Sequence, residues 1–160
     1  MKIRTILASI SSAALLASAG AAQAQDIGEL LYVAPMIAVF GGSAYAPELG
    51  AGAKFRGVGN SQINLSVEAS VALYQPSSVG ELWVGSRLGF VLDSASQIEL
   101  VGNSSIGLIG NTPSYRFGAG AEIPVLHNVD LVVEGTMAGH FGGSPTDNGI
   151  RIGIHFFPGR

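Results

Sequence analysis

The chain has 160 residues, a formal charge of −3, only 12% charged side chains, and no cysteine. Without cysteine there is no disulfide and no thiolate metal site. The weak acidic balance speaks against nucleic acid as a partner and against a polybasic membrane-surface role.

The N-terminus reads as a leader. Met1-Lys2-Ile3-Arg4 is a short basic head, Thr5 to Ala19 is apolar and small, and Ala22-Gln23-Ala24 is a small-x-small cleavage site. These three features define a secretory signal peptide over 1–24, cut after Ala24. Setting aside Lys2 and Arg4 leaves the remaining chain, 25–160, at −5. Its length suits a single domain. No later apolar run is long enough for a membrane helix.

From Leu30 onward the chain alternates with a period of two, which is the period of a strand. Eight segments are expected at roughly 30–40, 49–57, 62–75, 82–92, 98–110, 115–126, 131–142 and 149–157. The breaks between them are rich in turn residues, as at Gly41-Gly42-Ser43, Gly59-Asn60, Pro76-Ser77-Ser78 and Asn111-Thr112-Pro113. No break has room for a crossover helix, so neighbouring segments should pair as antiparallel hairpins.

The first segment is apolar on both sides, and its phase stays open. In the second, Leu49, Ala51, Ala53 and Phe55 oppose Lys54 and Arg56. The third sets Ile63, Leu65, Val67 and Val71 against Asn64, Ser66, Glu68 and Ser70. In the fourth, Leu82, Val84, Leu88 and Phe90 oppose Trp83, Gly85, Arg87 and Gly89. The fifth places Leu100, Ile106 and Leu108 against Glu99 and Asn103. The sixth places Tyr115, Phe117 and Ile123 against Arg116 and Glu122, and the seventh Leu131, Val133 and Met137 against Glu134, Thr136 and His140. The eighth is the clearest: Ile150, Ile152, Ile154 and Phe156 oppose Arg151 and His155.

All strand charges in this phasing share one face: Lys54, Arg56, Glu68, Arg87, Glu99, Arg116, Glu122, Glu134 and Arg151. An apolar outside and a charged inside describe an all-β, eight-stranded, antiparallel up-and-down transmembrane β-barrel. Such a barrel is only wide enough for its own side chains, so the inward charges are expected to form an ion-pair network. Glu68 and Arg87, on adjacent strands, are expected to pair. A soluble barrel with the opposite phase would present a glycine- and alanine-rich outside with few charges for solubility.

The run Leu31-Tyr32-Val33-Ala34-Pro35-Met36-Ile37-Ala38-Val39-Phe40 is similar to the first strand of small eight-stranded outer-membrane barrels of Gram-negative bacteria. That group includes the membrane domain of outer-membrane protein A and the opacity-like, porin-like surface proteins. Ile150, Ile152, Ile154 and Phe156 resemble the C-terminal assembly signal of these barrels. The resemblance implies location in the cell outer membrane, contact with its lipid and lipopolysaccharide, and insertion by the barrel-assembly machinery. The chain departs from the pattern because Phe157-Pro158-Gly159-Arg160 follow the signal, and no peptidoglycan-binding domain is present to imply a cell-wall tether.

The residues offer little chemistry. No metal-ligand spacing, phosphate loop or dinucleotide motif occurs, so no cofactor and no metal is expected. His140 with Ser144 is the one spacing that invites a Ser-His reading, but it lacks the His-x-Ser-Asn arrangement of lipid A deacylases. The expectation is a structural, surface-exposed or narrow-pore barrel without catalysis. The alternative is a deacylase-like enzyme that modifies lipid A.

Overall fold

The computed structural model describes residues 31–41, 44–57, 62–75, 77–93, 95–143 and 147–160. The expected leader over 1–24, its cleavage after Ala24, and Ser144 lie outside these residues. Eight strands form in sequence order: β1 (Leu31–Phe40), β2 (Tyr45–Phe55), β3 (Ile63–Tyr74), β4 (Val79–Val91), β5 (Glu99–Ile109), β6 (Thr112–Leu126), β7 (Val129–His140) and β8 (Asp147–Phe156). Each pairs antiparallel with its neighbour, and β8 returns to β1, so the sheet is a closed barrel. Closure leaves no edge strand to template aggregation.

The strands are steeply tilted. Partners followed once around the wall run Leu31, Ala53, Val67, Ser86, Ser104, Phe117, Met137, Asn148. That walk starts at the first residue of β1 and ends beside Gly149, the partner of its last residue, Phe40. A climb of this size is the stagger that a closed barrel needs.

One rim, called the near rim here, carries the described chain ends together with the β2–β3, β4–β5 and β6–β7 connections. The far rim carries the other four turns. At the far rim β2, β4, β6 and β8 begin earlier than the alternation alone indicates, while β3, β5 and β7 end one or two residues sooner. β2 begins at Tyr45 instead of 49, β4 at Val79, β6 at Thr112 and β8 at Asp147. Pro47 hid the start of β2, because proline lacks the N–H a ladder needs. The strand tolerates it by skipping one ladder position: Tyr45 bridges Gln75, and the β2–β3 register resumes at Glu48↔Ala72.

The phase of every strand from β2 to β8 is as the alternation indicates. For β1 the structure settles the open question: Tyr32, Ala34, Met36 and Ala38 face inward, while Leu31, Val33, Ile37 and Val39 face out. The interior takes the small alanines because Tyr32 and Met36 already fill the bore on that side. Gly52 shows how tight the fit is: a Cβ there would lie 2.6 Å from the Tyr32 ring.

The outer wall is a continuous apolar belt. Its members include Leu49, Val71, Leu82, Leu88, Phe90, Leu100, Phe117, Ile150 and Ile152, all exposed. The exposed charged residues among those described, Arg56, Asp93 and Asp147, all sit at the rims. Aromatic side chains gather toward strand ends, with Tyr115 in ring contact with both Phe117 and Phe141 on the far-rim side.

The luminal ion-pair network as candidate functional site

Alternation sends every second side chain inward, and the barrel is too narrow to hold bulk water. A charge placed there must find its partner across the bore. Eight of the nine charged residues expected inside do so, and they connect in depth from the far rim to the near rim.

Arg151 of β8 sits at the centre. Its guanidinium reaches Glu48 (2.7 and 2.9 Å), Glu68 (2.9 Å) and Glu134 (3.0 Å), which stand on three different strands. On the far side, Arg116 grips Glu48 with two bonds of 3.0 Å, and Ser70 donates its hydroxyl to the same carboxylate. The two-pronged contact uses the planar fork of arginine against a planar carboxylate. On the near side, Arg87 lies 2.6 Å from Glu134 and 3.6 Å from Glu122, and Lys54 lies 2.6 Å from both Glu99 and Glu122. Asn103 adds a bond of 2.9 Å to Glu134.

The expected Glu68–Arg87 pair is present but long, at 3.9 Å. The register explains this, because Glu68 faces Gly85 while Arg87 faces Ser66. Glu68 instead serves Arg151 and accepts a hydrogen bond of 3.0 Å from the Tyr32 hydroxyl. Through Tyr32 the network also holds β1, so it ties all eight strands.

Arg56 is a correction. It follows the last residue of β2, is exposed, and lies outside the network. Its guanidinium stands 6.0 Å from the centre of the Phe157 ring at the near rim. The alternation that carried it inward ends one residue too early, at Phe55. Glu48, Glu81 and Asp130 are buried carboxylates beyond the expected set, because each lies just before the start of its expected segment. Had the strand been extended through Pro47, its parity with Gly50 and Lys54 would have placed Glu48 inside.

His155 is buried between the two chain ends. Its Nε2 lies 3.0 Å from Arg87 Nη1 and its Nδ1 lies 3.3 Å from Glu122. Arginine can only donate, so Nε2 is the acceptor in the contact with Arg87. The imidazole stacks on Tyr32 at 4.2 Å, and the Phe157 ring packs edge-on at 6.3 Å.

Phe157 and the residues after it form a stopper for the near rim. The Phe157 ring is only 1% exposed, and its amide donates to the Asn128 carbonyl at 2.9 Å. Arg160 then folds back onto Asp130 with bonds of 2.8 and 3.0 Å. Ile150, Ile152 and Phe156, expected to carry the assembly signal, are exposed on the outer wall, and Ile154 is half-buried on the same face. Outside the strands, the Asp93 carboxylate is held below its ordinary value by the backbone N–H groups of Ala95 and Ser96, at 3.1 and 3.0 Å.

Among the described residues one Ser–His contact is present; Ser144, which the spacing pointed to, lies outside them. Ser114 and His140 face each other across β6 and β7, with Ser114 Oγ 2.8 Å from His140 Nδ1. Residues brought together by register on neighbouring strands cannot be found by scanning one strand. Ser114 Oγ also lies 2.9 Å from the Thr112 carbonyl, and the residue is 0% exposed. The hydroxyl can donate to that carbonyl while accepting from Nδ1, which leaves the serine satisfied and not activated.

No protein-family pattern matches the chain, and no curated protein matches it in sequence. Among solved structures it is similar to a designed protein described as "De novo design of transmembrane beta-barrels", with a TM-score of 0.55 and 18% identity. The match covers 84% of this chain and 98% of the designed one. The likeness is one of fold: a small, eight-stranded, transmembrane-type β-barrel. It is consistent with a membrane location.

Proposed function

We propose that the protein is a small outer-membrane barrel with a structural, non-catalytic role, related in kind to the membrane domain of outer-membrane protein A and the opacity-like proteins. The carrying observation is polarity turned inside out: a belt of exposed aliphatic and aromatic side chains around a core of paired charges. Lipid is the solvent that accepts such an exterior. Lipopolysaccharide and outer-membrane lipid are its surroundings, and Ile150, Ile152, Ile154 and Phe156 present an outward apolar row for the assembly machinery to read.

The lumen has no through-path in this reading, because the charged side chains span it and Phe157 stops one end. Purified monomer in planar bilayers should show negligible conductance, and a stable large conductance would overturn the closed-lumen reading. The protein should fractionate with the outer membrane and run with heat-modifiable mobility. Val67→Arg or Ile152→Arg, on the outward face, should each cost about 2–4 kcal/mol and block assembly. Recovery of either variant at wild-type level in the outer membrane would remove the lipid-facing assignment.

The Ser114–His140 contact favours the second reading, a lipid A-modifying enzyme. That reading requires that expression of the chain change the acyl pattern of lipid A, and that His140→Ala abolish the change. The hydrogen bond to the Thr112 carbonyl argues for an unchanged pattern.

A further inference from the structure

Seven carboxylates have side chains buried in the lumen: Glu48, Glu68, Glu81, Glu99, Glu122, Glu134 and Asp130. Six of them lie within 3.0 Å of a lysine or arginine nitrogen. Glu81 is the exception. It is 8% exposed, its Oε2 accepts from the indole N–H of Trp83 at 2.8 Å, and it forms no ion pair among the described residues. A buried carboxylate without a counter-charge is costly.

The sequence contains no spare cation for it at this end. The far-rim turns 41–44, 75–78, 110–111 and 141–146 hold no lysine or arginine. Arg116 attracts Glu81 from farther off, while both terminal nitrogens of its guanidinium bind Glu48.

Glu81 opens into a cup at the far rim. Phe40 and Tyr74 form a wall, with ring centres 5.4 Å apart. Trp83, covered by Arg116 at 4.7 Å, forms the floor, and Asp147 stands on the lip. The enclosed part of the cup is small, about 10 Å³, roughly the room one water-sized group needs.

The geometry points to a binding site for a primary ammonium group, seated between Glu81 and Asp147 with its alkyl stem against Phe40 and Tyr74. Three properties select this chemistry. An ammonium carries the charge that Glu81 lacks. It is the size of a water molecule, so its head fits an enclosed space too small for a trimethylammonium. It also tolerates ring faces beside it, through attraction to their negative π-clouds. A divalent metal fits less well, because no set of three His, Cys, Asp or Glu suited to a metal ion occurs among the described residues. The inference concerns the end of the lumen and does not depend on the barrel's cellular role.

Trp83 is the chain's one tryptophan, and it bonds to Glu81, so its emission reports on the site directly. The full-length protein in detergent micelles would be titrated with propylammonium chloride, tetramethylammonium chloride and calcium chloride at matched ionic strength. The expected result is a saturable emission shift with propylammonium alone. Glu81→Gln should weaken the apparent affinity at least tenfold. Asp147→Asn, which leaves the Trp83 bond intact, should weaken it several-fold, with heat-modifiable mobility confirming that both variants fold. Vesicles with ethanolamine headgroups, compared with choline-headgroup vesicles, separate the sources. A shift specific to ethanolamine adds a lipid headgroup to the ligand class, and no such shift confines the ligand to soluble amines. Equal responses to the two ammonium salts, an unchanged titration in Asp147→Asn, or saturation by calcium would each overturn the proposal.

Discussion

The two ends of the barrel are finished in opposite ways. The near rim is stoppered by the chain's own C-terminus, where Phe157 is packed on Tyr32 and His155 and Arg160 is tied to Asp130. The far rim is left as an open cup, with Glu81 buried but unmatched. At one end the polypeptide supplies both the apolar filler and the counter-charge. At the other, the described residues line the cup with aromatic rings but form no ion pair with Glu81.

The largest effect should come from the floor that both ends share. Arg151→Leu would leave Glu48, Glu68 and Glu134 short of a cation together, and should cost about 3–5 kcal/mol in urea unfolding. Arg56→Leu, which removes an exposed charge, should stay within about 0.5 kcal/mol. If the two variants were equally stable, the network would not be what separates the ends.

Next comes the packing contrast. Phe157→Ala empties the near stopper and should cost about 3 kcal/mol, at the low end for a buried phenylalanine. Phe40→Ala, in the half-open wall of the cup, should cost about 1 kcal/mol for the apolar surface it covers. Reversal of that order would mean that the cup, not the stopper, is the packed end.

The charges offer a finer version of the same test. Asp130→Asn weakens the clasp with Arg160 and should lower stability by about 1 kcal/mol. Glu81→Gln removes a charge that has no partner and should be neutral within about 0.5 kcal/mol. Comparable losses from both would show that Glu81 has a counter-charge in the folded protein.

The smallest effect is one of pH. Asp93 is more acidic when folded than when unfolded, because the N–H groups of Ala95 and Ser96 favour its charged form. Its contribution is therefore present above the ordinary aspartate range near roughly pH 4 and fades as pH falls through the lowered folded value. Asp93→Asn should remove a slight acid-side loss of stability and leave neutral pH almost unchanged, as read by melting curves across that range.

The strand order and the facing of seven strands were legible in the sequence, because a period of two forces each residue to one face and burial punishes errors. Two kinds of information were not legible. The first was where a strand begins when a proline interrupts it, and that concealed Glu48 behind Pro47. The second was contact across the bore. Spacing along a strand shows that Arg87 points inward, but only the register sets it nearer to Glu134 than to Glu68. The Ser114–His140 contact was missed for the same reason. The facing of β1 escaped because both of its faces are apolar, although the small residues Ala34 and Ala38 on one face hinted at it.

Pro35 has a kinetic consequence. Its carbonyl points at Gly153 on β8, so its missing N–H falls on the β1–β8 seam. The register there passes from Val33↔Phe156 to Met36↔Gly153 with no pair between. This seam joins the two most distant strands of the sequence, so it is the contact of longest range and the last expected to close. Where the backbone ladder is thin, closure rests on side chains inside: Tyr32 on His155 and Phe157, and Arg151 on Glu48 and Glu68. The barrel's lifetime against opening is then governed by how fast those interior contacts let go. A protein whose wall is apolar owes its persistence to the polar groups that the wall conceals.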